Sequence, residues 1–280
     1  MRKYSLRHLF TLQLICLLLT PYSLKAQGDL LITPRRVVFE GNKRSMDLSL
    51  ANIGKDTATY NISLVQIRMT EDGGFETITE PDESQKFATP YIRFFPRTVT
   101  LNPDEVQTVK IQAIRTGELA PGEYRSHLYF RATPKEKPLG DETPAQQDQT
   151  ISIKLVPVFG ITIPVIIRQG VPTANVTLTD LALTFENDTL PRIAFVFNRS
   201  GEYSVYGDVA VDHVSPGGKV TRAGVARGVA VYTPNTIRRF SFNLMNNGEV
   251  DFRSGKLIVT FSAPSDVKQE KFAEAILNLQ

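Results

Sequence analysis

The chain has 280 residues, with 32 Lys+Arg against 29 Asp+Glu, three His and one Cys. Four of the cations (Arg2, Lys3, Arg7, Lys25) and no acid fall in the first 26 residues, so the rest carries 32 − 4 = 28 cations against 29 anions, a formal charge of −1. That balance excludes the persistent basic excess of a nucleic-acid binder. The lack of any cysteine beyond Cys16 excludes thiolate zinc sites and thiol nucleophiles there.

Residues 1–26 read as an export signal. A basic start precedes the apolar run Leu9 to Leu19, and Ser23-Leu24-Lys25-Ala26 offers a cut site near Ala26. Cys16 lies inside the apolar run and is not placed for lipid attachment. No later stretch approaches the ~20 apolar residues of a spanning helix. The expectation is a soluble, exported protein of 280 − 26 = 254 residues, enough for two domains of ordinary size held by apolar cores.

From residue 28 the texture is short strands and turns. Ser45 to Leu50 alternates polar and apolar, as a strand with one buried face does. Asn52-Ile53-Gly54-Lys55-Asp56 is turn chemistry, and Thr59 to Val65 resumes a strand. Glu71-Asp72-Gly73-Gly74 signals a hairpin. Pro81 to Phe95 has room for a helical turn at most. Val106 to Ile114 alternates again. Tyr124 to Arg131 puts Tyr124, Ser126, Leu128 and Phe130 on one face, and Arg125, His127, Tyr129 and Arg131 on the other. Lys135 to Thr150 is polar and aperiodic, and reads as a long flexible loop.

Ile151 to Ile167 is the most unusual segment, because every odd position is apolar. Its length far exceeds the usual ~5–6 residues of a strand. Pro157, Gly160 and Pro164 favour an edge strand or one that changes partners. Gln169-Gly170-Val171-Pro172 looks like a hinge. Beyond it, strands are expected at Val176–Leu183, Arg192–Asn198, Val205–His213, Val225–Val231, Ile237–Asn243 and Lys256–Phe261. The tail reads equally as a helix over Lys268–Ala275 or a strand over Phe272–Leu279. The fold class expected is all-β, two Ig-like β-sandwich domains in series, with domains at 27–170 and 171–280.

Pro34-Arg35-Arg36-Val37-Val38-Phe39-Glu40-Gly41 resembles the first strand of the PapD-like periplasmic chaperones of fimbrial (pilus) subunits. Ser45 to Asn52, the run Pro90 to Arg97, Leu101-Asn102-Pro103-Asp104 with Val109-Lys110-Ile111, and Pro121 to Phe130 are similar to the strands that follow in that family. The likeness covers residues 28–170 and is only architectural beyond 173. It implies a periplasmic, non-enzymatic chaperone with no cofactor. Such a protein lends an edge strand to a subunit whose own sheet is incomplete, and hands it to an outer-membrane assembly platform. Whether the free protein caps itself as a dimer through its edge strand is left open by the sequence.

The physics suits this sequence, since an edge strand offers free N–H and C=O groups while alternate apolar side chains enter the client's groove. Ile151 to Ile163 is the expected donor segment, with Ile151, Ile153, Leu155, Phe159 and Ile161 as inserts. The resemblance also makes Arg36 a ligand for the client's C-terminal carboxylate, which a guanidinium grips with two charge-assisted hydrogen bonds. The family's second cation, a lysine, has no clear counterpart. Pro164, Lys154 and Arg168 are the positions that compete for it, and only Lys154 and Arg168 carry charge. The family's acid before the serine of a later strand is replaced by Arg125.

Two histidines, His127 and His213, remain after the signal, far apart and in different domains. With no phosphate loop, nucleophile elbow or metal motif, an enzyme is not expected. The alternative to a chaperone is a structural or adhesive β-sandwich component of an envelope assembly, its apolar strand permanently paired.

Overall fold

The computed structural model describes residues 30–134, 158–171, 173–187, 189–245, 248–264 and 270–279. The first ten strands are β1 (Leu30–Thr33), β2 (Val37–Phe39), β3 (Ser45–Asn52), β4 (Ala58–Met69), β5 (Phe75–Ile78), β6 (Ile92–Phe95), β7 (Thr98–Leu101), β8 (Val106–Ala113), β9 (Gly122–Ala132) and β10 (Gly160–Gln169). They form two facing sheets, β1-β3-β8-β6 and β2-β10-β9-β4-β5, with β7 also paired to β4. The Pro81–Phe95 segment holds a single 3-10 turn at Thr89–Tyr91.

Strand alternation builds the core as the sequence pattern requires. Leu48, Leu50, Val109 and Ile111 point inward from one sheet and meet Val37, Phe39, Leu128, Phe130, Val165 and Ile167 from the other. Each such side chain contributes roughly 1.5–3 kcal/mol on burial. Between β1 and β2, residues 34–36 carry the chain across from one sheet to the other, because β1 pairs with β3 and β2 pairs with β10. The turn after β3 is held by buried Asn52, whose side-chain amide donates to the carbonyls of Asp56 (2.8 Å) and Leu101 (3.0 Å).

The remaining strands are β11 (Ala174–Glu186), β12 (Leu190–Gly201), β13 (Val205–Val214), β14 (Val220–Val231), β15 (Ile237–Asn243), β16 (Lys256–Ser262) and β17 (Lys271–Asn278). They make a second sandwich, β11-β12-β15 against β14-β13-β16-β17. An aromatic cluster fills it, with Phe197 5.2 Å from Phe195 and 5.0 Å from Phe261 between ring centroids. The tail is a strand and not a helix. Ala273, Ala275, Leu277 and Leu279 recur at period two against the second core, and a helix would turn half of them to solvent. The fold is therefore all-β, two Ig-like sandwiches in series.

The polar side of β9 reaches solvent only toward its C-terminal end, where Tyr129 is half-buried and Arg131 exposed. Arg125 and His127 are buried, because the outer face of the first domain's β10-β9-β4 sheet packs on the second domain. Met69 and Ile166 meet Ala230 and Tyr232 there, with Val38 and Tyr206 alongside.

Candidate functional site

The long apolar segment supplies β10, which is described from Gly160 onward. The carbonyl of Phe159 accepts the amide of Ala132 at 2.9 Å, and Gly160 lies opposite Arg131. Hydrogen-bonded pairs alternate along an antiparallel ladder, so odd residues of β10 direct their backbone groups to β9. Gly160, Thr162, Pro164 and Ile166 direct theirs to the opposite rim. On that rim β2 runs parallel to β10 and covers only Val165 to Ile167. Among the described residues no strand pairs with Gly160 or Thr162 there, and none of those residues meets the N–H and C=O that they direct to this rim.

The side chains of this stretch change role along its length. Ile163, Val165 and Ile167 share a face and are buried in the first core, so Ile163 is a core residue and not a donor-strand insert. Phe159 and Ile161 lie on the same face but stay 50% and 36% exposed, because β10 is the sheet edge at their level, short of the stretch that β2 covers, while Ala132 and Phe130 beside them on β9 are buried. Gly160 permits the chain to pass under Tyr129, whose ring would lie 2.2 Å from a Cβ there. Ile151, Ile153, Lys154, Leu155 and the loop 135–150 lie outside the described residues.

Arg36 stands where the free rim ends. It precedes Val37, which is opposite Val165, so it is level with Pro164. Its guanidinium is stacked 4.6 Å from the Tyr206 ring centre and 5.6 Å from that of Tyr232, and its Nη1 is buried with no hydrogen-bond partner. Burial pushes the Arg36 guanidinium below its ordinary value, opposed by Tyr232 and Glu123. Arg125 shares that ring, 4.4 Å from the Tyr232 centre. Its terminal nitrogens donate to the carbonyls of Ile67 (3.3 Å) and Thr233 (3.0 Å).

Arg168, expected as a second cation for a client carboxylate, makes its contacts here within the protein. Its Nε pairs with Glu123 at 3.1 Å, Nη2 donates to the Ser204 carbonyl at 2.8 Å, and Nη1 lies 3.6 Å from Glu40. Glu123 also accepts the Ser204 amide at 3.0 Å, the Ser204 hydroxyl, and the Thr233 hydroxyl at 3.4 Å. Residues of β9 and β10 are thus fastened to the second domain's 204 and 233 segments. The sequence reading missed Glu123 because it follows Pro121-Gly122 and looks like a turn residue. The signal that finds it is parity, since it shares a strand face with Arg125.

His127, across β10 from Arg36, is level with Pro164. Its ring lies edge-on to Phe75 (6.3 Å) and Tyr232 (6.5 Å). Burial, with Arg125 adding, lowers its pKa from 6.5 to about 3. The unfolded chain therefore takes up a proton below pH 6.5 that the folded chain refuses until about pH 3. Stability is undiminished by this group above pH 6.5 and falls as pH drops through that window, with a slope approaching about 1.4 kcal/mol per pH unit. His127→Phe is expected to remove that slope, read as urea midpoints at neutral and acid pH.

Residues 38–130 match the family of Fn3-like domains. No curated protein matches the chain. Among solved structures, the chain is similar to the YadV chaperone, at 13% identity over 90% of this chain and 100% of that one, with a TM-score of 0.43. It is similar to the chaperone–tip subunit pre-assembly complex CsuC–CsuE of the archaic chaperone-usher Csu pili of Acinetobacter baumannii, at 13% identity, 88% and 98% coverage and a TM-score of 0.44. The Pseudomonas aeruginosa CupB2 chaperone gives 11% identity, 89% and 100% coverage and a TM-score of 0.41.

Proposed function

We propose that this protein is a periplasmic chaperone of fimbrial or other surface-exported subunits, and that it stabilises them by lending β10 to complete their sheet. The observation that carries the reading is the uncovered rim of β10 at Gly160 and Thr162, flanked by exposed Phe159 and Ile161 and ending at Arg36. A client strand added there parallel to β10 would lie in line with β2. It would run out with its C-terminal carboxylate at Arg36, the residue type suited to a carboxylate. Backbone pairing supplies affinity for any extended strand, and the apolar side chains select a client with an open groove. Handover would go to an outer-membrane assembly platform.

Amide exchange tests the reading against a permanently paired scaffold strand. In the isolated protein the Gly160 and Thr162 amides should exchange rapidly, while those of Ile163 and Val165, bonded to β9, stay protected. After co-purification with a client from the periplasm, the Gly160 and Thr162 amides should become protected. Slow exchange at both positions in the isolated monomer would favour the scaffold.

A further inference from the structure

The anchor residue belongs to the first domain, but the surface that orients it belongs to the second. Tyr206 is a β13 residue whose ring turns away from the second core, where Val205 and Val209 are buried, and toward the first domain. Its placement is built into β14. The pairing steps from Gly207–Val229 to Val209–Ala226, so Asp208 faces a two-residue bulge at Arg227 and Gly228. Asp208 accepts the Gly228 amide at 2.9 Å. Gly228 has φ +70°, and a Cβ there would meet the Tyr206 hydroxyl at 3.1 Å. A glycine at the bulge thus leaves the seat in which this ring lies, and the ring in turn carries the Arg36 guanidinium at 4.6 Å.

We infer that Tyr206 is a positioning residue for Arg36, so that the grip on a client's terminal carboxylate is a property of both domains. This rests on the proposed function above. The aromatic face attracts the guanidinium without using its N–H groups. The fork is therefore held at the end of the β10 rim with Nη1 still unpaired. An arginine fixed in this way loses less side-chain entropy when it closes on a carboxylate.

The probe is a synthetic decapeptide of alternating threonine and valine behind two lysines, made with a free C-terminal carboxylate and as its carboxamide twin. Calorimetric titration of the full protein should show the carboxylate form binding about tenfold more tightly. Tyr206→Leu keeps apolar contact with the interface but removes the ring face. It should reduce that preference to about twofold or less and leave carboxamide affinity unchanged. Tyr206→Phe keeps the ring and should restore the preference. A folded Tyr206→Leu variant that retains the full preference would overturn the inference while leaving the chaperone reading intact. No preference in the unmodified protein would remove the carboxylate anchor itself, and the inference with it. If Tyr206→Leu does not fold, Tyr206→Phe decides alone against Arg36→Ala: an undiminished preference in Phe with loss in Ala supports the role, and loss in Phe overturns it.

Discussion

Thr162→Pro is expected to reduce client capture by about 10- to 100-fold while leaving the fold intact. Thr162 is exposed, and its backbone N–H faces the uncovered rim of β10 and not β9. Proline is tolerated on an edge strand where the lost N–H faces solvent, and the preceding residue is already extended. The isolated protein should therefore change in stability by no more than about 0.5–1 kcal/mol. A client strand laid on the rim loses one of two donors there, since Pro164 has none to give. Its own carbonyl is then buried against the proline ring. An unmet buried polar group costs about 1–3 kcal/mol, which corresponds to roughly the stated loss in affinity. The readout is the client yield and dissociation rate of complexes purified from the periplasm. Thr162→Val, which keeps the N–H, is the control and should capture normally. Full capture by a folded Thr162→Pro variant would show that clients do not pair with this rim.

The rim could be anticipated from the residues, but its limits could not. Alternation in Ser45–Leu50 and Val106–Ala113 identified inward faces correctly, because each of those strands buries one side only. In the β10 segment the same parity covers Phe159, Ile161 and Ile163. Nothing local distinguishes the exposed pair from the core residue. The distinction comes from how far the opposing sheet and β2 extend, which is a tertiary fact. Period-two patterning likewise shows that Arg125 and His127 share a face, but not that a second sandwich covers it. Glu123 and Arg168 are 45 residues apart in sequence, and their pairing with Ser204 and Thr233 depends on how the domains meet. Arg168 was legible as a cation near the strand end, and its partner was not.

Glu123→Ala should cost about 3–5 kcal/mol, the magnitude for removing one partner of a buried ion pair. The carboxylate has no exposed surface, against 19% for the Arg168 side chain. Its loss strands Arg168 with one backbone carbonyl and a longer contact to Glu40. It also leaves the Ser204 amide, buried between the domains, without its acceptor. Because these partners belong to different sandwiches, the damage should be directional. Each sandwich keeps its own core, so the unfolding profile should separate into two transitions, against the single one expected of the parent protein. Glu123→Gln preserves the shape and an acceptor for Ser204 and should lose less than the alanine variant. Arg36 and its ring partners Tyr206 and Tyr232 sit across the same junction. Loosening the junction should therefore also weaken client capture, although Glu123 itself need never touch a client. A Glu123→Ala protein that melts in one transition, within about 0.5 kcal/mol of the parent, would show that this network does not join the domains.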